Sequence, residues 1–250
     1  MTPNRTKQKQ AAKWYEAQLT AISKRVDQAV AKAVKTAQAN PFTVSILVTE
    51  SLRRYALSPE FGRWAKKIAK KMLDSADTND RQMWQKASKE LGQSISKELT
   101  ESDISVRYDE LMEEQVTLIK SLPLEASEKV HQMVKKGIAE GARPEKIIDD
   151  VQRLGEITRN RAKLIARTET SRAQAMLTQA RAEAMGSPGY YWKTMGDSAV
   201  RSDHEDFDGQ FIRWDDPPVA DQRTGAKAHA GCIYNCRCQM RIVPAEWMME

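Results

Sequence analysis

From position 5 to position 38 the chain contains neither proline nor glycine and is rich in Ala, Lys and Gln. Those side chains lose little freedom in a helix. Trp14, Leu19, Ile22, Val26, Val30 and Val34 recur largely at three- and four-residue steps, which places them on one helical face. The chain is therefore committed to a long opening helix with an apolar stripe. Pro41 ends it, because a proline cannot continue the ladder of backbone hydrogen bonds.

Further helices are expected over 44–56, 59–72, 79–99 and 103–120, with Ser58 before Pro59 as a helix start. The stretch 63–71 is basic and 101–115 is acidic; either the two face each other or the acidic helix is simply solvated, which is the favoured reading. From Pro123 the texture changes. A helix over 124–140 should stop at Gly141, and a short one should run from Pro144 to near Gly155. Thr158 is the expected N-cap of a long helix through Met185, closed by Gly186 and Pro188. Only then do strand signals appear, at 190–192, at 207–214 with Asp208-Gly209 as a turn, and at 239–243. The expected fold class is α+β: a long helical N-terminal region (1–122), then a small α+β module with a short antiparallel sheet (123–250).

Composition narrows the class. Charged residues make up 30% of the chain and hydrophobic ones 40%, which suits long solvated helices better than one large core. The net charge of +6 is matched by the first helix alone, where eight bases face only Glu16 and Asp27. A polyanionic partner is consistent with that balance. No apolar run reaches 18 residues, so no spanning helix is expected. The basic start MTPNRTKQKQ is not followed by an apolar stretch and does not read as a secretion signal. Three cysteines do not make a disulfide framework, and a reducing cytoplasm is the expected compartment during synthesis.

Three stretches carry chemistry. In KLIARTETSRAQA, Glu169 and Arg172 are helix neighbours, whereas Arg167 points elsewhere; the run reads as ordinary surface charge, or else Arg167 or Glu169 reaches under the β module and fixes its loops by charge-assisted hydrogen bonds. In YYWKTMGDSAVRSDHEDFDG, Asp197, Arg201 and His204 are close in sequence on an irregular loop. No G-x-S-x-G elbow accompanies them, so no serine hydrolase is indicated. In HAGCIYNCRC, all the cysteines fall together. Cys236 and Cys238 share one face of an extended segment, and Cys232 lies four residues back. Such thiolates can hold one tetrahedral zinc ion with His204 or His229, or they can be buried apolar thiols at a tight corner.

Taken in order, these stretches resemble the C-terminal domain of the phage Mu F-like minor head proteins, also called phage head morphogenesis proteins, over about 123–245. Ala166-Arg167-Thr168-Glu169 matches the family's Ala-Arg-Thr-Glu helix, and Trp192 its tryptophan strand. Asp197, Arg201, His204, Asp208 and Gly209 match the Asp-x-Arg-x-Arg-x-x-His and Leu-Asp-Gly segments, and Asn235 to Cys238 the closing Asn-Cys-Arg-Cys. Ala199 stands where an arginine is usual, and Phe207 replaces leucine. Some members carry Cys-x-x-Cys at the Arg201 and His204 positions, a change that resembles metal-ligand exchange. The resemblance thus implies one structural zinc on His204, Cys232, Cys236 and Cys238, with His229 in reserve.

The resemblance also implies a virion protein at the portal or capsid interior, made in the host cytoplasm and acting in head assembly or genome delivery. Its expected partners are portal and capsid proteins. Some members are thought to bind DNA, and Lys7, Lys9, Lys13, Lys24, Arg25, Lys32 and Lys35 are the residues that would touch double-stranded DNA non-specifically or dock on a partner. No catalytic residue, membrane or small-molecule substrate is expected. The competing readings are a metal-dependent hydrolase using Asp197, His204, His229 and Asn235, and a free-standing basic DNA-binding protein.

Overall fold

A computed structural model describes residues 1–91 and 101–242. The expected helical stretch 92–99, the strand end at Val243 and the motif proline at 244 lie outside the described residues. Six helices come first: α1 (Arg5–Thr36), α2 (Pro41–Leu57), α3 (Pro59–Leu91), α4 (Glu101–Ala139), α5 (Pro144–Gln152) and α6 (Leu154–Ala184). Then follow β1 (Gly189–Lys193), the single turn α7 (Ser202–Glu205), β2 (Phe211–Arg213), β3 (Val219–Asp221), β4 (Ala226–Lys227) and β5 (Gln239–Ile242). The fold is α+β, with a long helical N-terminal region and a small antiparallel sheet in the C-terminal half.

The helix boundaries follow local chemistry. Asn40 caps α2 by accepting from Thr43 N at 3.0 Å, with Pro41 in the first helical position. Ser58 accepts from Phe61 N at 3.2 Å and starts α3 at Pro59. Two expected interruptions are absent. Residues 73–78 stay helical because Leu73 and Ala76 are buried and the ion pairs Lys70–Asp74 and Asp77–Arg81 staple successive turns. Pro123 lies inside α4, flanked by buried Leu122 and Ala126, whose packing outweighs the lost backbone bond. Thr158 does not cap α6. It is buried within the helix, its hydroxyl donating to Leu154 O at 2.8 Å, so the helix begins four residues earlier.

The chain forms two compact units, and α1, α3, α4 and α6 each contribute a stretch to either one. One unit comprises Trp14–Ala69 and Glu114–Ala166. Its core brings Val26 and Val30 of α1 together with Val44, Val48 and Leu52 of α2, Val130 and Val134 of α4, and Ile147, Ile148 and Val151 of α5. Tyr15 and Ala33 occupy the buried stripe of α1, while the expected Trp14 and Val34 are half-buried.

The other unit comprises Met1–Lys13, Lys70–Glu113 and Arg167–Glu250. Its sheet has the order β2-β1-β5, antiparallel throughout, with Tyr190 opposite Ile212 and Ile242, and Trp192 opposite Met240. Strand alternation turns Tyr190 and Trp192, both fully buried, onto the core. Met83 and Trp84 of α3 and Ala175 and Ala182 of α6 belong to the same core. β3 and β4 form a separate two-stranded ribbon.

A buried polar network ties α3 to α6. Arg181, only 2% exposed, pairs with fully buried Asp80 and with Asp77. Thr178 and Gln174 donate to the same Asp80 oxygen, and Asn79 donates to Gln174 at 2.8 Å. Burial opposes the Arg181 charge, but the two carboxylates outweigh it and hold the proton more firmly than usual.

Candidate metal centre

The short helix α7 delivers His204 into the core, where the ring meets the edge of Trp192 with centroids 5.3 Å apart. Its Nε2 lies 2.9 Å from Ala220 O, a carbonyl of β3. A carbonyl can only accept, so Nε2 carries the hydrogen and Nδ1 presents its lone pair in the opposite direction. That direction holds two thiols: Nδ1 is 3.7 Å from Cys236 Sγ and 3.5 Å from Cys238 Sγ. All three ligand atoms lie within 4.8 Å of one another, and all three residues are buried. His204 is just 2% exposed.

The tract carrying the thiols is shaped by backbone positions with special geometry. Asn235 adopts φ 55°, the left-handed region, and its N–H donates to Thr168 Oγ1 at 3.0 Å. Arg167 Nη1 donates to Asn235 Oδ1 at 3.3 Å. The Ala-Arg-Thr-Glu run on α6 thus grips the turn that begins Asn-Cys-Arg-Cys. Glu169 pairs with Arg172 at 3.3 Å on the helix itself. Gly231, at φ 82°, passes so close to Ala175 and Cys238 O that a Cβ would stand 3.2 Å from each. Between the two cysteines, Arg237 points to the opposite face and clasps Asp197 with two bonds of 2.9 and 2.6 Å.

The electrostatics separate the thiols. Cys236 is held far below its ordinary value, first by the hydrogen bond from Cys238; burial opposes this, while His204 and the backbone N–H groups of Cys238 and Gly231 assist. Cys238 moves up in turn, because its proton is shared with Cys236. Burial works against the His204 charge, but the bond to Cys236 more than compensates, so its affinity for a proton rises. Cys232 behaves as an apolar thiol, pushed up to about 12 by burial.

The donor set fits a metal ion. Zinc binds sulfur at about 2.3 Å and histidine nitrogen at about 2.0 Å, so two such ligands at a tetrahedral angle stand roughly 3.5 Å apart. The two sulfur–nitrogen separations of 3.7 and 3.5 Å match that spacing. Beside the cluster is a cavity of about 20 Å³, lined by Arg201, Asn235 and Val200 among others, enough for one water. Arg201 Nη2 donates to Tyr234 O at 2.8 Å, and its buried Nη1 has no partner among the described residues.

Of the four expected ligands, three converge; Cys232 stands outside the group. The reserve ligand His229 is engaged elsewhere, its Nδ1 with Tyr190 OH at 3.3 Å and its Nε2 with Trp214 O at 3.2 Å. Of the residues of the hydrolase reading, His204 and Asn235 line one cavity, Asp197 is held by Arg237, and His229 is engaged with Tyr190 and Trp214. Asp208 accepts from Thr194 N at 2.7 Å, and Gly209, at φ 83°, donates its N–H to Trp192 O at 2.8 Å. The Asp-Gly pair therefore fastens the end of β1.

Several residues at the site escaped sequence reading. The Arg237–Asp197 clasp had one signal, since alternation in an extended Cys-Arg-Cys tract turns the arginine away from the thiols. Ala220, which fixes the imidazole tautomer, had none.

Comparison with known proteins fits this arrangement. Residues 128–241, within the span expected from the motifs, match the family model described as Phage Mu protein F like protein. An uncharacterized protein of Haemophilus influenzae is 27% identical over 235 residues, covering 90% of this chain and 51% of that protein. The chain thus spans about half the length of the curated relative it matches. No solved structure matches. Among the described residues no helix is long and apolar enough to cross a membrane. Residues 128–241, in the C-terminal half of the chain, are thus similar to the Phage Mu protein F like family.

Proposed function

We propose that the chain is a minor head protein of a tailed phage, working in head morphogenesis from the capsid interior or portal vertex. In this reading 1–122 is the partner-docking region and 123–250 is the head morphogenesis module. His204, Cys236 and Cys238 hold one zinc ion that closes the module, and no bond is made or broken there. The observation that carries the reading is the coincidence of family motif and buried cluster: His204 and the Asn-Cys-Arg-Cys tract, far apart in sequence, meet at ligand spacing inside the matched region. Two thiolates would neutralise a divalent ion in a buried site, and the fourth tetrahedral position would fall to a water from the adjoining cavity.

Docking on the portal is supported by α2. Phe42, Ile46 and Leu57 are 63%, 44% and 71% exposed, and a 100° step per residue places them on one face. Phe42 and Ile46, one turn apart, make an exposed apolar pair on that face, which Glu50 and Arg53 share. Lys7, Lys9, Lys13, Lys24, Arg25, Lys32 and Lys35 of α1 touch packaged DNA or the portal during assembly and genome delivery. Co-purification with portal and capsid proteins at low and high salt tests this. An apolar interface survives high salt and is lost in Phe42→Asp with Ile46→Asp. Absence of any head protein at either salt would overturn the docking role.

A further inference from the structure

The start of α1, the second half of α3 and the strands β1 and β5 border a groove of about 730 Å³ whose charged lining, among the described residues, is of one sign: Arg5, Lys7, Lys86, Lys193 and Arg241. Among the described residues no Asp or Glu lines it, and all of these lie in one compact unit. Arg5 is anchored by neutral acceptors, Gln239 Oε1 at 2.8 Å and Thr194 O at 3.0 Å, which fix the guanidinium without cancelling its charge. Lys7 donates to Gln82, another neutral group. Arg241 lies over the Tyr191 ring, 5.0 Å from its centroid. Lys193 pairs with Asp208 at 3.1 Å outside the groove lining, an exposed contact of little energetic weight. The first turn of α1 holds no acidic residue, so the positive end of its dipole adds to the field.

We infer that this groove binds the phosphodiester backbone of double-stranded nucleic acid. Its exposed neutral polar lining, Thr2, Asn4, Thr6 and Gln82, is of the kind that hydrogen-bonds phosphate oxygens. An acidic protein partner would want apolar anchors at the centre of its interface. Among the described residues the apolar lining side chains are Pro3 and Met83, both already buried. The inference rests on the DNA contact proposed above and gives it a place. Lys7 belongs to the groove, whereas Lys24, Arg25, Lys32 and Lys35 belong to the other compact unit.

The test is binding of the full chain to a short DNA duplex, followed between 50 and 200 mM salt. Lys7→Gln, Lys86→Gln and Arg241→Gln, all at exposed positions, should together lower the slope of log K against log salt by about 2.7, and each alone by about 0.9. At 100 mM salt the triple variant should bind roughly 100-fold more weakly with its melting temperature unchanged. Lys24→Gln, Lys32→Gln and Lys35→Gln together should leave the slope as it was. If the native chain binds DNA and the groove variants keep its slope, the groove is refuted while DNA contact stands. If the native chain does not bind the duplex even at 50 mM, DNA contact itself fails and the groove with it. Equal affinity for polyglutamate would overturn the phosphodiester assignment.

Discussion

His204 Nδ1 faces the Sγ of Cys238 at 3.5 Å because Ala220 O, 2.9 Å from Nε2, has settled which nitrogen keeps its hydrogen. Such outer partners orient a metal-binding imidazole and are worth 10- to 100-fold in affinity in known centres, as an order of magnitude. The ribbon strand β3, through a backbone carbonyl, is in this way part of the site.

Cys236→Ser and Cys238→Ser should each lower bound metal and destabilise the module by several kcal/mol, which is roughly 2–4 °C of melting temperature per kcal/mol in a chain of this size. Cys232→Ser should keep the metal, since Cys232 stands outside the converging group. Elemental analysis and thermal melts of the three variants check this. Equal metal loss in Cys232→Ser would place that sulfur in the centre.

The Arg181–Asp80 pair is fully buried, so removing one partner strands the other charge. Arg181→Ala should cost about 3–5 kcal/mol by denaturant unfolding. Replacing Arg181 and Asp80 together by apolar residues of similar volume should restore part of that loss. A cost below 1 kcal/mol for the single change would mean that water reaches the pair.

Asp208 is held below the usual carboxylate range chiefly by the Thr194 N–H, with Lys193 adding to it against slight burial. A carboxyl with a depressed folded pKa contributes stability above its unfolded value, and that stability is lost as pH falls through the folded pKa. Asp208→Asn should therefore destabilise by about 1 kcal/mol at pH 7, the figure for a charge-assisted bond discounted for solvent access, and by less at pH 3. Urea unfolding at the two pH values checks it; a pH-independent cost would point to packing.

Gly231→Ala should destabilise by about 1–3 kcal/mol, because φ 82° is costly for any side chain and the new methyl meets Ala175 and Cys238 O. Metal content should fall with it, since Cys238 O moves with the tract. A native-like melt together with full metal loading would show that the tract yields freely.

Much of the helical plan could be read from proline, glycine and apolar spacing, and the three main strands from their aromatic and aliphatic runs. The failures share a cause. Thr158 carries the chemistry of a cap, yet packing buries it inside α6; Pro123 carries a stop signal, yet flanking core residues keep α4 intact. Local preference lost to tertiary burial in both cases. At the site, His204, Cys236 and Cys238 were visible through the motif. The exclusion of Cys232 and the engagement of His229 with Trp214 and Tyr190 depend on how the tract turns at Gly231 and Asn235. Spacing along the chain does not encode that turn.

Metal content of the purified full chain bears most directly on the proposed metal centre. One equivalent of zinc per chain is expected, released by chelator together with a drop in melting temperature. A fully folded, metal-free protein, or zinc retained when Cys236 and Cys238 are both serine, would contradict it.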